Sequence, residues 1–264
     1  MTKALRFQLY QKTAHFRDPR ISQDEFIATL MLPSPTTVIG MLAYLCDQKF
    51  TEELRVGIIG TAERKEIHFS RGESEDFWPK YQTFVRKKSE EDKVKGSTYM
   101  QYKNKLVSNR MMNYEVLREV NLTIFIQASE PVLETLLANL KQPKRYLSLG
   151  RKEDFAKVKG TPQIVEIDEV TVSSVKEALK KGISLTDTYV RVDLREENTQ
   201  NKLLDSGALY TLPYRYKDLA APKVERTRQY RSYIYLDEKF YPDFGDFPVY
   251  HNKHENNKDY FQWM

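Results

Sequence analysis

Leu5, Phe7 and Leu9 alternate with Arg6, Gln8 and Tyr10, which predicts a strand with one buried face. A polar stretch with Lys12, His15, Arg17 and Arg20 follows and reads as a basic loop suited to an anion. Ser34 and Pro35 then mark a helix start, as N-cap and first helical residue. Val38, Ile39, Leu42 and Leu45 supply the apolar face of that helix. Gly40 interrupts it, which calls either for close approach of a backbone or ligand or for a small packing contact.

Further on, 54–60 is a short apolar segment, and 62–69 is a charged strand in which Ile67 and Phe69 alternate with polar residues. No apolar period holds between Arg71 and Arg110, which reads as a projecting hairpin or mobile insertion. Its cations, Arg86, Lys87, Lys88, Lys103, Lys105 and Arg110, suit a phosphate backbone, while Glu90, Glu91 and Asp92 between them suit a solvated excursion equally well. Alternation returns at Val116, Arg118 and Val120 and continues through Leu122, Ile124 and Ile126 as a strand with one buried face. Ser129 and Pro131 open a second helix with Val132, Leu133, Leu136, Leu137 and Leu140 as its stripe, and Pro143 stops it. Another strand covers 164–168.

This order, strand, helix, strand, insertion, strand, helix, strand, predicts an α+β fold of ferredoxin-like βαββαβ type with one sheet face free for a partner. We expect that domain over 1–170, its insertion over about 72–113, and a β-rich extension or small second lobe over 171–264. Within the latter, Val175–Ala178 suits a short helix, 188–194 a strand, and 210–216 and 226–235 two more strands. The segment 195–206 is loop-like, and the aperiodic tail from Lys239 is expected along the surface.

Composition narrows the chemistry. The 264 residues are 40% apolar and 30% charged, as in a globular protein, and 42 basic against 37 acidic residues leave a net charge of +5. That balance favours an acidic or polyanionic partner only weakly. Seventeen Tyr and 13 Phe, many for this length, suit either core positions or stacking on unpaired bases. A single cysteine, Cys46, excludes a disulfide framework or a zinc cluster and reads as a buried thiol in a reducing compartment. Without a signal peptide or a membrane-length apolar run, the expected location is the cytoplasm.

The densest candidate site is 143–152. Lys144, Arg145, Arg151 and Lys152 surround Gly150, and Tyr146 is placed to stack on a base. Arginine forks match phosphate oxygens. The spacing lacks the glycines and Lys-Ser/Thr pair of a P-loop, so a basic surface turn is the alternative. Catalytic motifs are absent, and no cofactor is implied. His15 near Lys12 and Tyr10 has the residue types to move a proton from a ribose hydroxyl, or else lies in an RNA-facing loop and catalyses nothing.

With these residues in view, the chain resembles the fifth CRISPR-associated (Cas) protein family, an RNA-binding RAMP subunit of type I Cascade complexes. The opening strand, Phe16-Arg17-Asp18-Pro19 and 33–42 (PSPTTVIGML) are similar to its N-terminal signature, and 146–155 (YLSLGRKEDF) to its second motif, with Lys152 where serine is common. Val116-Leu117-Arg118-Glu119 and Leu212-Pro213-Tyr214-Arg215 are also similar to family segments, and the wording is nearest the type I-B branch. The resemblance implies a ferredoxin-like domain with a long β-hairpin thumb. It implies a non-catalytic subunit that caps the 5′ handle of the CRISPR RNA (crRNA), beside the first Cascade backbone subunit. It also implies a seat for the large PAM-reading subunit and, through the complex, contact with target DNA, with no membrane and no metal. The loops at Lys12–Arg20 and Lys144–Lys152 and the thumb would then be RNA contacts. One branch, type I-C, cuts precursor RNA with a tyrosine, lysine and histidine, which leaves a metal-independent endoribonuclease as the alternative. A purely structural subunit is the third.

Overall fold

The computed structural model describes residues 2–22, 26–50, 52–72, 82, 110–192, 203–218, 226–242, 248–253 and 259–264. It has an α+β fold with a mixed sheet and helices, consistent with the ferredoxin-like/RAMP class. The chain divides into two compact units. The larger comprises Met1–Arg17, Leu30–Lys65 and Leu117–Met264, and the smaller Asp18–Thr29 and Glu66–Val116.

In the larger unit the alternating first segment forms β1 (Thr2–Ala14), with Leu5, Phe7 and Leu9 fully buried. Its neighbours are β6 (Arg110–Gln127) on one side and β7 (Lys157–Val170) on the other, both antiparallel. β4 (Arg55–Thr61) pairs antiparallel with β6, and β8 (Thr188–Arg191) follows it. β10 (Arg226–Leu236) and β9 (Ala208–Asp218) continue the sheet beyond β8, and β11 (Val249–Asn252) borders β7. The order is therefore β11-β7-β1-β6-β4-β8-β10-β9. The smaller unit contains most of β2 (Phe16–Ser22) and β3 (Phe26–Leu30) and β5 (Arg64–Gly72), with β3 and β5 pairing with β6.

Two helices cover one face. α1 (Pro35–Cys46) begins where Ser34 accepts a bond from the Thr37 N–H at 3.4 Å, as its sequence predicts. α2 (Glu130–Lys141) follows Ser129, whose hydroxyl and N–H both donate to Glu52 Oε1 at 3.0 Å instead of capping the helix. Val38, Leu42 and Leu45 of α1 and Leu133, Leu136 and Leu140 of α2 pack with Leu5, Phe7, Leu9, Val56, Ile58, Ile124 and Ile126 in one core. α3 (Val175–Lys181) caps a second cluster with Ile183, Val190, Ile234 and Leu236. Cys46 is partly buried, and desolvation pushes its thiol pKa up.

Four expectations need correction. The basic loop does not exist as such: Lys12 lies within β1 and Arg17 within β2, because β1 stays paired with β6 as far as Ala14. Gly40 meets no backbone and makes no tight packing contact, since a Cβ there would find nothing within 4 Å; it lines an open cleft with Thr36, Ile39 and Ala43. The last residues of the tail are not superficial. Tyr260, Phe261, Gln262, Trp263 and Met264 are all buried. Nor is the second sheet face open throughout, because Phe261 stacks on Phe125 at 4.2 Å and packs with Ala4, Ile167 and Trp263. Gly57 makes this possible: a Cβ at that position would sit 2.3 Å from the Phe261 ring. Ile67 and Phe69 do lie on β5, but both side chains are exposed. Most of the expected thumb, the segment 193–202 and His254 lie outside the described residues.

Removing the docked ring should be costly. Phe261→Ala is expected to lower the unfolding free energy by about 3 kcal/mol, read from urea denaturation. An unchanged midpoint would mean that the ring is not part of the core.

Candidate nucleic-acid interface

Beyond α2, Pro143 ends the helix and the chain makes a tight bracket. Leu147 and Leu149 point into the core, Ala156 N–H donates to Leu147 O at 2.9 Å, and Leu149 N–H to Asp154 O at 3.1 Å. Gly150 sits at the tip with φ +101°, and a Cβ there would lie 2.5 Å from the His15 carbonyl. Only glycine fits a left-handed turn pressed against a second backbone.

Asp154, fully buried, holds this bracket to the end of β1. Its Oδ2 accepts from the His15 N–H at 3.0 Å, the Arg151 N–H at 3.1 Å and Arg151 Nε at 3.0 Å. Its Oδ1 accepts from Arg151 Nη2 at 2.8 Å. Gln11, also fully buried, donates from Nε2 to Leu149 O and Asp154 O at 2.9 and 3.0 Å. A buried carboxylate with this many donors is compensated for its lost hydration.

The geometry sorts the residues singled out in the sequence. Arg151 has its guanidinium engaged by Asp154 and, at 3.3 Å, by Glu153. His15 is buried, 3% exposed. Arg145 lies 4.9 Å over the Tyr44 ring, donates to Tyr44 O at 3.2 Å and pairs with Asp47 Oδ2 at 2.9 Å. Lys12, Arg17, Lys144, Tyr146, Gly150 and Lys152 are exposed. Arg20 and Arg110 fall on β2 and β6, but their side chains lie outside the described residues. Arg86, Lys87, Lys88, Lys103 and Lys105 lie wholly outside them.

Between the end of α2 and β7 runs a cleft of about 560 Å³, lined by Lys141, Pro143, Arg145, Tyr146, Lys157, Gly160 and Pro162 among others. Tyr146 is half exposed and continues into an aromatic row, with Tyr44 at 6.1 Å and Phe155 at 5.8 Å. Cations beside exposed rings suit phosphates and unpaired bases. Lys141, Lys157, Tyr44 and Phe155 are not among the residues predicted to bind. Lys141 and Lys157 look like ordinary surface lysines until the bracket folds between them.

A proton-transfer site finds little support. The Tyr10 hydroxyl donates to Glu119 at 2.5 Å, and that bond is the main reason its pKa is raised. Among the described residues no three His, Cys, Asp or Glu gather to hold a metal ion, and no helix is long and apolar enough to cross a membrane.

A family model described as CRISPR-associated protein (Cas_Cas5) matches residues 4–229. The chain belongs to this Cas5 family of CRISPR-associated proteins. No curated relative matches it. Among solved structures, one described as a CRISPR RNA-guided surveillance complex is similar at 14% identity and TM-score 0.44, over 87% of this chain and 88% of that one. A CRISPR protein from Archaeoglobus fulgidus is similar at 12% identity and TM-score 0.40, over 98% and 97%. The chain spans 57% of the length of a crystallised Cas protein, at 17% identity and TM-score 0.31 over 57% of this chain. These likenesses are distant, and membership rests on the family model.

In this Cas5 member the motif's arginine builds the loop. Arg151→Ala should cost about 3 kcal/mol of stability in urea unfolding, because it removes the charged partner of a buried carboxylate. Lys152→Ala, one residue away and exposed, should change stability by less than about 0.5 kcal/mol. Equal effects would contradict the role assigned to Asp154.

Proposed function

We propose that this chain is a non-catalytic subunit of a type I CRISPR Cascade, of the I-B branch, that binds and caps the 5′ handle of crRNA. It links the backbone subunits to the large PAM-reading subunit, acts in the cytoplasm, and meets target DNA through the complex. The observation that carries this reading is the cleft beside the Gly150 bracket, which Lys141 and Lys157 line together with the exposed ring of Tyr146. Its phosphate contacts position a strand, and its aromatic row receives unstacked bases.

The antiparallel order β7-β1-β6-β4, with α1 and α2 as the connections, supports a ferredoxin-like βαββαβ domain over 1–170. In the same proposal 171–264 is its β-rich extension and about 72–113 its thumb, the latter contributing Arg86, Lys87, Lys88, Lys103 and Lys105. Lys12, Arg17, Lys144 and Lys152 add positive charge around the handle. Burial of His15 and the bond between Tyr10 and Glu119 weigh against the endoribonuclease reading.

The test incubates the full chain with labelled CRISPR repeat RNA in EDTA and reads affinity and product size together. Handle-dependent binding with intact RNA is expected. Lys141→Ala with Lys157→Ala should weaken it and reduce the slope of log K against log salt by about 1.4, the value for two phosphate contacts to a single strand. A discrete product ending at the handle, or an unchanged slope, would overturn the proposal.

A further inference from the structure

The block 226–231 carries three arginines that the handle site does not use. At this end of the sheet β10 pairs with β9 in register, Arg228 opposite Tyr216, with an irregularity between Gln229 and Tyr230. Arg228 is exposed, with Tyr230 two residues on along the same face and Tyr216 directly across the β9–β10 pair, and their hydroxyls raise its guanidinium pKa. Tyr216 and Tyr230 are each 43% exposed. Arg231 lies 3.6 Å over the ring of Tyr214, whose hydroxyl donates to Gln229 Oε1 at 3.2 Å.

The partners of these two arginines set them apart. Arg151 is held by Asp154 and Glu153, Arg145 by Asp47, and Arg215 lies 3.8 Å from Glu53. Among the described residues neither Arg228 nor Arg231 has a carboxylate partner; Arg231 rests on Tyr214 on one face, and Arg228 stands beside Tyr216 and Tyr230 on the other. A guanidinium held by rings and hydroxyls keeps its full charge and is already oriented, so little rotamer freedom is lost when a phosphate arrives. Rings beside it offer stacking faces that tolerate any base.

We infer that Arg228, with Tyr216 and Tyr230 beside it on one face of the β9–β10 pair, forms a second contact for single-stranded nucleic acid. Five strand steps separate β10 from β7, which is about 24 Å along the sheet, so this contact is distinct from the cleft beside Gly150. It goes beyond the handle proposal and does not depend on it.

Fluorescence anisotropy with the full chain tests it, using a short oligouridine and an oligodeoxythymidine of equal length. The background is Lys141→Ala with Lys157→Ala, in which the cleft is weakened. Arg228→Glu and, separately, Tyr230→Ala are each expected to lower residual affinity about fivefold or more, while Tyr230→Phe keeps stacking and loses less. Urea midpoints check that the variants fold. Selective loss for oligouridine assigns the contact to RNA, and selective loss for oligodeoxythymidine to DNA. Unchanged affinity for both probes in Arg228→Glu and Tyr230→Ala overturns the inference and leaves the handle proposal standing. Loss of handle binding only in the cleft variants does the same.

Discussion

A buried carboxylate organises the site. Asp154 is removed from water, yet it accepts from two backbone amides and from Nε and Nη2 along one edge of a guanidinium. Such a group is stable only while all its donors stay in place. The loop from Leu147 to Ala156 is therefore fixed to the end of β1, with Gly150 pressed on the His15 carbonyl and Gln11 bonded to two loop carbonyls. The side chains exposed on or beside that bracket, among them Tyr146, Lys152, Glu153 and Phe155, are presented from a rigid base.

Two kinds of cation stand out among the described residues. Some, such as Arg145 and Arg151, are neutralised by aspartates and shape loops. Others, lysines along the cleft and the arginines of β10, stand next to aromatic rings. Net charge alone, +5, barely separates this chain from any other. The local pairing does, since a charge matched by a carboxylate contributes little to attraction of a polyanion. Nucleic-acid contact is therefore read from partners rather than from counts of arginine and lysine.

Short-range signals were legible from the amino-acid order. Alternation at Leu5, Phe7 and Leu9, the Ser34-Pro35 start of α1 and the leucine stripe of α2 all depend on neighbours within a few residues. Contacts between distant segments were not. The polar stretch after β1 looks like a loop, but strand pairing and the Asp154 carboxylate bury His15. The tail lacks a period because its rings dock one by one, Phe261 into the space left by Gly57 and against Phe125. Arg151 looks like a binding residue in a basic motif, and nothing in the spacing tells that Asp154 has claimed it.

The central claim is that handle RNA lies in the cleft between α2 and β7. Photocrosslinking of the full chain to handle RNA carrying thiouridine, followed by mapping of the attached peptides, tests it most directly. Crosslinks at Tyr146 and in the segment 141–162 are predicted. RNA that binds with handle specificity but crosslinks nowhere in that segment would contradict the account.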